Sequence, residues 1–279
     1  FILIGDHKQL PAVVQQDNNE SAADSPLLEE IHLPNCANSL FERLILTERA
    51  AHRTDFIGTL RKQGRMHPDI AAFPNTYFYE CEQLECVPLA HQTEPNLPYN
   101  EPSEDKTDDF LKAHRMVFIP SKSCRKPYIS EKVNTEEARI VADLVRRLYR
   151  QMGTTFDAQK SIGIIVPYRN QIAMIRKELE QLRLPAIDKI SIDTVERYQG
   201  SQRDVIIYSF TIQNRFQLEF LTANMFVEDG KPIDRKLNVA ITRARKQLIL
   251  TGNEATLRQN FLFSELIDYI EKRGGKTVI

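Results

Sequence analysis

The sequence contains few of the features that mark specialised protein classes. Its 279 residues include 4 Cys, 10 Gly, 14 Pro and no Trp. Four cysteines are too few for a disulfide scaffold, which favours a reducing compartment, and the Gly and Pro content excludes a collagen-like or low-complexity chain. The longest uninterrupted apolar runs, such as residues 162–166, are far shorter than the roughly 18 residues of a membrane span. We therefore expect a cytoplasmic protein that has no contact with a membrane.

Neither sign of charge is in excess. Lys and Arg number 37 and Asp and Glu number 38, for a net charge of -1. This balance excludes a globally basic nucleic-acid binder, but a local basic patch remains compatible with it. The hydrophobic share of 42% and the charged share of 27% are typical of a globular protein. The length allows about two domains at roughly 150 residues each, or one large domain.

The first four residues form an apolar run that ends at Gly5 and Asp6. A short run of this kind is typical of a buried strand in a parallel sheet. No cationic stretch precedes it, so it does not resemble a signal peptide. Because a central strand needs neighbours on both sides, we expect the chain to be a fragment of a protein whose first domain extends upstream.

Strands and helices alternate clearly from residue 115 onwards. The predicted strands cover residues 116–119, 162–166, 190–192, 205–210 and 248–250. The predicted helices cover 168–182, 237–244 and 262–270, and another begins at Asn134, where Glu137 completes a capping-box pattern. Upstream, residues 39–46 predict a helix that runs into a strand, and 91–109 predict an exposed connection. The alternation predicts an α/β fold with a mainly parallel sheet, whose ligands bind at the carboxyl ends of the strands.

Two polar segments early in the chain are candidates for that sheet edge. In residues 5–11, the amide of Gln9 can both donate and accept hydrogen bonds, but taken alone the segment favours a plain turn. In residues 63–68, Arg65 follows an extended stretch and can bind phosphate oxygens in a forked geometry. The alternative is a solvated arginine on a surface turn.

Two further polar segments follow later. In residues 193–204, Thr194 can contact a phosphate through its hydroxyl and amide, and Gly200 allows close backbone approach. The alternative is a long polar connection. Residues 235–246 carry five cations on or near one short helix. They are either a solvated basic face or cations that point at phosphate, one of them an arginine finger, which contributes about 10³ to 10⁵ in rate to phosphoryl transfer.

The order and spacing of these segments resemble the superfamily 1 helicases, most closely the branch that includes the nonsense-mediated RNA decay helicase. Residues 5–11 are similar to motif III, and residues 63–68 to the Gln-Tyr-Arg-Met-His-Pro segment of the second motor domain. Residues 163–168, 194–204 and 237–245 are similar to motifs IV, V and VI. The resemblance covers nearly the whole chain, and the last motif is highly specific.

The resemblance implies a RecA-like P-loop NTPase fold, with a mainly parallel sheet and helices on both faces. Residues 1–55 are then the end of a first RecA-like domain that lacks its P-loop, and residues 56–279 are the second RecA-like domain. ATP with Mg²⁺ lies between two such domains, and single-stranded DNA or RNA lies across both. The partner of this chain is therefore the missing N-terminal RecA-like domain of the same protein, and no metal ligand is expected within the chain.

The resemblance also implies roles for individual residues. Gln9 senses the γ-phosphate, Arg65 contacts it from the second domain, and Arg243 is the arginine finger. The residues beside the nucleotide are Gln199, Gly200 and Gln202. The residues that touch the nucleic-acid backbone are Thr194, Pro167 and Tyr168. Backbone contacts of this kind are independent of sequence and sensitive to salt.

The chain departs from the family pattern at three places. Gly64 stands where the family has a Tyr that stacks on adenine, and Gln202 stands where the family often has an acid. The sequence has no Gly-x-x-x-x-Gly-Lys-Ser/Thr and no Asp-Glu pair of the Walker B type, which together hold phosphate and magnesium. We therefore expect this chain alone not to hydrolyse ATP. By resemblance the direction of travel is 5′ to 3′, and it depends on the missing parts.

Two alternatives remain at this point. Gly64 and Gln202 are compatible with a catalytically degenerate relative that binds nucleic acid as a scaffold. A plain α/β binding module requires the ordered motifs to arise by chance. Cys81 and Cys86 lack the second ligand pair that structural zinc requires. Three phenylalanines between motifs V and VI can pack a loop or helix near the nucleic-acid path, and the sequence leaves their role open: Phe216, Phe220 and Phe226.

Overall fold

A computed structural model describes residues 1–11, 19–31, 33, 35–53, 55–124 and 130–279. The chain divides into two compact units, Phe1–Arg61 and Lys62–Ile279. No helix in the described ranges is both long and apolar enough to cross a membrane.

Among its described residues, the first unit contains two helices, α1 (Pro26–Glu30) and α2 (Leu40–Ala50). The predicted helix start is confirmed, because the Ser39 hydroxyl accepts a hydrogen bond from the Glu42 amide at 3.1 Å and caps α2. The prediction that residues 39–46 run from a helix into a strand is wrong. The helix continues to Ala50, since Leu, Glu and Arg in this stretch are good helix formers.

The predicted strand at the start of the chain is also wrong. Residues 1–4 have no strand assignment and are exposed. A strand forms only where a neighbour satisfies its backbone groups, and no described strand pairs with these residues.

The second unit alternates strands and helices along its length. Its strands are β1 (Lys62–Gln63), β2 (Glu85–Cys86), β3 (Met116–Pro120), β4 (Ile162–Val166), β5 (Ser191–Thr194), β6 (Arg203–Ser209), β7 (Met225–Glu228), β8 (Lys231–Asp234) and β9 (Ala244–Gly252). Its helices are α3 (Pro68–Tyr77), α4 (Ala90–Thr93), α5 (Lys106–Ala113), α6 (Thr135–Met152), α7 (Arg169–Glu180), α8 (Val195–Tyr198), α9 (Arg215–Leu221), α10 (Arg235–Ile241), α11 (Glu254–Leu257) and α12 (Phe261–Glu271).

The centre of this unit is a five-stranded sheet in the order β3-β9-β6-β4-β5, and every pairing in it is parallel. The strands are apolar on both faces, as expected for a covered parallel sheet. Helices α6 and α7 share one buried core with alternate residues of the strands. Helices α3, α10 and α12 contact β9 and β3, and the strand residues outside that core, such as Phe118 and Leu250, are also fully buried. The predicted α/β fold with helices on both faces is confirmed.

Two boundaries differ from the prediction. The helix predicted to reach residue 244 ends at Ile241, and Ala244 already begins β9. The exposed connection predicted over residues 91–109 is partly wrong, since it contains α4 and the start of α5. Asp108 in this stretch is fully buried because it pairs with Arg147 at 2.8 Å, so its charge is compensated inside the unit.

The hairpin between α9 and α10 was not predicted. Strands β7 and β8 form an antiparallel hairpin. Its turn is Asp229–Gly230, with φ of 51° and 75°. Two consecutive residues with positive φ and an Asp-Gly sequence are typical of a type I′ turn. The dipeptide was a usable sequence signal for this hairpin.

Candidate functional site

The predicted site residues of the second unit lie at two opposite edges of the sheet. Thr194 ends β5, and Pro167 and Tyr168 follow β4, which places these three at the carboxyl edge. Gln202 directly precedes β6 and Arg243 directly precedes β9, which places both at the amino edge. Strands β6 and β9 start in register at this edge, since Arg203 pairs with Ala244.

The expectation that all four polar segments share the carboxyl edge is therefore wrong. After Thr194 the chain turns back through α8 and reaches the start of β6 within eight residues. A parallel sheet has its strand starts at the edge opposite its strand ends, so the two halves of residues 193–204 are separated by the length of a strand. Gln9 belongs to the first unit, where its Nε2 donates to Oδ2 of Asp6 at 2.9 Å.

Arg65 connects three segments at the amino edge. Its Nε lies 3.1 Å from Oε1 of Gln202, and its Nη1 lies 3.4 Å from the carbonyl oxygen of Thr242. Partial burial lowers the pKa of Arg65, because desolvation disfavours the charged guanidinium. Residues that are 137 and 177 positions apart in sequence from Arg65 thus meet it in space.

Arg243 is held against the last turn of α10. Its side chain is 2% exposed. Its Nε donates to the carbonyl oxygen of Val239 at 3.1 Å, and its Nη2 donates to Oγ1 of Thr242 at 3.0 Å. The carbonyl oxygen of Arg243 in turn accepts a hydrogen bond from the Arg203 amide at 3.1 Å, which ties this position to the start of β6.

Gln199 and Gly200 lie between α8 and β6 and are exposed. Gly200 has a φ of 85°, and no atom lies within 4 Å of the place where a Cβ would stand. A positive φ is the conformation that only glycine adopts at no cost. The backbone at Gly200 is therefore open to close approach by another molecule, as the sequence predicted.

The loop that carries Arg65 is clamped by side-chain amides. Oε1 of Gln63 accepts from the amides of Arg65 at 2.9 Å and Met66 at 2.8 Å. Nε2 of Gln92, from α4, donates to the carbonyl oxygens of Gln63 at 3.0 Å and Met66 at 2.8 Å. His91 adds a third contact to the same loop, at the Arg65 carbonyl. Sequence reasoning missed both α4 residues, because no spacing rule connects them to Arg65.

The position of Gly64, where the resemblance implies an aromatic ring, is partly filled by a neighbour. A Cβ at Gly64 would lie 3.2 Å from Cδ1 of Leu89. That leucine is 43% exposed, so its terminal methyl group can move. A side chain at position 64 thus requires Leu89 to give way, and its Cβ meets no backbone atom within 4 Å.

At the carboxyl edge, Tyr168 packs on a ring from α9. The rings of Tyr168 and Phe220 are stacked, with centroids 5.4 Å apart and an interplanar angle of 20°. Burial raises the pKa of Tyr168 to about 12, so its hydroxyl stays protonated at neutral pH. Thr194 and Pro167 beside it are half-buried, and the Thr194 amide donates to Oδ1 of Asp193 at 2.9 Å.

A buried carboxyl group fixes the strand ends at this edge. Glu137 of α6 accepts hydrogen bonds from Oγ of Ser209 at 2.6 Å, the amide of Thr211 at 2.8 Å and Oγ of Ser121 at 3.0 Å. Burial raises the pKa of Glu137 to about 7, against the lowering effect of these donors. The capping-box pattern correctly identified the start of α6, but it did not reveal that Glu137 reaches across to the ends of β3 and β6.

The donors at the amino edge suit an anion. Guanidinium groups and amides bind phosphate oxygens well. Within the described ranges, no group of three or more His, Cys, Asp or Glu could hold a metal ion. Arg65 and Gln202 thus offer donors that suit phosphate oxygens, whereas the buried Arg243 guanidinium bonds Val239 and Thr242, and no cluster among the described residues suits a metal ion.

Comparison with known proteins identifies the family of this chain. The AAA domain family matches residues 36–255. An uncharacterized ATP-dependent helicase of Methanocaldococcus jannaschii is 30% identical over 96% of this chain and 34% of its own length. The DNA polymerase alpha-associated DNA helicase A of Saccharomyces cerevisiae is 28% identical over 93% of this chain and 35% of its own length.

A third relative is the regulator of nonsense transcripts 1 of Dictyostelium discoideum. It is 29% identical over 98% of this chain and 18% of its own length. The chain therefore spans about a third or less of these relatives.

Proposed function

This chain belongs to the AAA domain family, among the superfamily 1 helicases of the nonsense-mediated RNA decay branch, and from that premise we propose that it is the C-terminal motor portion of an ATP-dependent helicase or translocase. Residues 56–279 are then the second RecA-like domain, and residues 1–55 are the end of the first. The rest of the first domain, with the Walker A and Walker B motifs, lies upstream in a longer protein. Single-stranded DNA or RNA is the track.

The observation that carries this proposal is the convergence at the amino edge. Arg65, Gln202 and the Thr242–Arg243 pair come from three separate motifs, and hydrogen bonds of 3.1 and 3.4 Å connect them. If Arg65 were only a solvated arginine on a surface turn, it would not be expected to contact the other two motifs. A site that binds the terminal phosphate requires these cations on rigid elements, and β6 and β9 supply that rigidity.

In this proposal the residues at the two edges of the sheet have different roles. When bound, MgATP supplies the phosphoryl group that is transferred to water. Arg65 and Arg243 hold the γ-phosphate oxygens from the second domain, and Arg243 neutralises the charge that develops during transfer. Gln9 senses the same phosphate from the first domain. Gln199, Gly200 and Gln202 orient the nucleotide, while Thr194, Pro167 and Tyr168 bind the strand backbone.

The test is ATP hydrolysis by the full-length protein, with and without single-stranded nucleic acid. We expect the strand to stimulate turnover, and Arg243→Ala to reduce the stimulated rate by about 10³ to 10⁵ while leaving strand binding in place. Arg273→Ala is the matched control. Arg273 follows α12, contacts the Tyr269 ring of that helix and is not part of the proposed site. Its rate should equal that of the wild type.

Two other results would overturn parts of the proposal. Full turnover in Arg243→Ala would remove the finger assignment and leave the motor. An inactive wild type that still binds single strands would favour the degenerate scaffold. The 279-residue chain by itself is expected to bind strands without hydrolysing ATP, and measurable hydrolysis by it would contradict the placement of the Walker motifs upstream.

A further inference from the structure

Helix α9 buries Leu218 and Leu221, as a surface helix ordinarily does, but it also exposes two aromatic rings. Phe216 is 78% exposed and Phe220 is 49% exposed, and both lie on the same outer face because they are four residues apart. Gln217 instead points inward, where its amide group hydrogen-bonds the Gln213 amide at 2.8 Å and the Glu131 carbonyl at 2.7 Å. A helix that buries an amide and exposes two rings presents those rings to another molecule.

The chemistry around these rings is aromatic and cationic. Tyr168 supports Phe220 from below by the stacking described above. Nζ of Lys236 lies 4.7 Å from the centre of the Phe220 ring, and Nζ of Lys132 lies 5.9 Å from the centre of the Tyr168 ring. Stacked rings beside cations are the combination with which proteins bind single-stranded nucleic acid, since bases stack on the rings while ammonium groups attract phosphates.

Two acidic neighbours of this surface are paired. Nζ of Lys236 lies 3.4 Å from a carboxylate oxygen of Glu196, and Glu219 pairs with Arg215 at 3.2 Å. Neither carboxylate therefore presents an uncompensated charge to a strand.

The surface is continuous with the proposed track. Tyr168 directly follows Pro167 after β4, and Lys236 contacts Glu196 of α8, the helix that begins immediately after Thr194. The rings of α9 therefore lie at the same carboxyl edge as the residues proposed to hold the strand backbone.

We propose that Phe216 and Phe220 form a base-stacking platform for single-stranded nucleic acid, with Phe216 as the ring that meets a base and Phe220 as its support on Tyr168. This inference rests on the proposed function and adds to it: the track residues bind the backbone, and α9 binds the bases. Stacking tolerates any base, because every base has a π face. The platform thus strengthens binding without adding sequence preference.

The experiment compares two tracks in the full-length protein without nucleotide. One is an oligothymidylate of about 12 residues, which matches the usual site sizes, and the other is an abasic strand of the same length. Fluorescence anisotropy gives the affinity for each. We expect the wild type to prefer the base-bearing strand, and Phe216→Ala to weaken that strand about tenfold, near the lower end of what one stacked base contributes. The affinity for the abasic strand should not change.

Three variants separate stacking from other effects. Phe216→Trp should retain the preference for bases, whereas Phe216→Leu should lose it although it keeps an apolar side chain. Phe261→Ala is the control, since Phe261 is a 62% exposed ring on a different helix, α12, and we expect wild-type binding to both strands. Because Phe216 is largely exposed, the melting temperature of each Phe216 variant should equal that of the wild type.

Each alternative result has a distinct meaning. Equal weakening on both strands, or no weakening on either, overturns the platform while the proposed function stands. Failure of the wild-type protein to bind any single strand overturns the proposed function, and the platform with it.

Discussion

Nε2 of His91 lies 2.9 Å from the carbonyl oxygen of Arg65, and the other ring nitrogen, Nδ1, lies 3.2 Å from Nη2 of Arg245. A guanidinium group can only donate, so Nδ1 of His91 accepts and Nε2 carries the hydrogen that is donated to Arg65. Nη1 of the same Arg245 lies 2.7 Å from Oδ1 of Asp204. A neutral histidine therefore positions the backbone of a proposed phosphate-binding arginine.

Replacing His91 tests this positioning role. We expect His91→Ala to lower the strand-stimulated ATP turnover of the full-length protein about tenfold, since one oriented hydrogen bond contributes about 1 to 1.5 kcal/mol. His91→Gln should recover most of the rate, because its amide can accept from Arg245 and donate to Arg65. His114→Ala is the control, as His114 contacts the Phe110 carbonyl instead. Equal rates in His91→Ala and His91→Gln would show that the ring only fills space.

A second prediction concerns Gly163 in β4. A Cβ there would overlap the Tyr198 hydroxyl and would lie 2.7 Å from Cγ of Arg203. We expect Gly163→Ala to reduce the free energy of unfolding by about 1 to 3 kcal/mol, as is usual for overpacked cores. Chemical denaturation measures this change. Gly58→Ala serves as control, because nothing lies within 4 Å of its Cβ position.

The clash at Gly163 also has a specific rescue. Removing the hydroxyl in Gly163→Ala/Tyr198→Phe should restore part of the lost stability. Without the hydroxyl, a smaller displacement of the ring is enough to accommodate the methyl group. A double variant no more stable than Gly163→Ala would contradict the steric explanation.

The third prediction is a pH dependence of stability that arises from Glu137. Burial raises the pKa of this carboxyl group from 4.5 to about 7, so between these values the folded chain binds more protons than the unfolded chain. The free energy of unfolding contributed by Glu137 therefore falls as the pH rises through this window. In Glu137→Gln this contribution is absent. We expect the difference in unfolding free energy between wild type and variant to change across the window and to be constant above it.

Asp234 provides the comparison for Glu137. It is buried at the start of α10, and burial raises its pKa from 3.8 to about 6. Asp234→Asn should therefore alter the pH dependence in a lower window than Glu137→Gln does. A pH-independent difference between wild type and Glu137→Gln would show that the carboxyl group is ionised throughout.

The fourth prediction concerns Gly64, where the resemblance to superfamily 1 helicases implies a tyrosine. We expect Gly64→Tyr combined with Leu89→Ala to lower the KM for ATP about 3- to 10-fold with kcat unchanged, the effect of one aromatic stacking contact. The leucine change makes room, since Leu89 lies 3.2 Å from the Cβ position. Leu89→Ala alone is the control and should leave the KM unchanged. An unaltered KM in the double variant would mean that adenine does not reach position 64.

The sequence predicted the sheet well because its strands are buried on both faces. Residues 116–119 and 162–166 are continuous apolar runs, 205–210 is interrupted only at Ser209, and the three stretches correspond to β3, β4 and β6. The same pattern misled at residues 1–4, where apolar composition did not produce a strand. Composition reports what can be buried, whereas a strand also requires a paired neighbour.

The site was harder to predict than the fold. Motif order identified Arg65, Gln202 and Arg243 as candidates, but spacing could not tell which edge of the sheet they occupy, because that depends on where the chain reverses. It also could not reveal His91 or Gln92, which lie in a stretch of polar composition. Both residues hydrogen-bond a loop that lies 26 to 29 residues earlier. A single sequence does not reveal such contacts.

The reversal between β5 and β6 has a mechanical consequence. Gln202 follows Thr194 by only eight residues, yet the two stand at opposite edges of the sheet. Between them, Tyr198 is buried and its hydroxyl lies 3.3 Å from the Ser191 carbonyl oxygen. This connection is short and is anchored by Tyr198, so it has little conformational freedom. We therefore expect a displacement of Gln202 to be transmitted to Thr194.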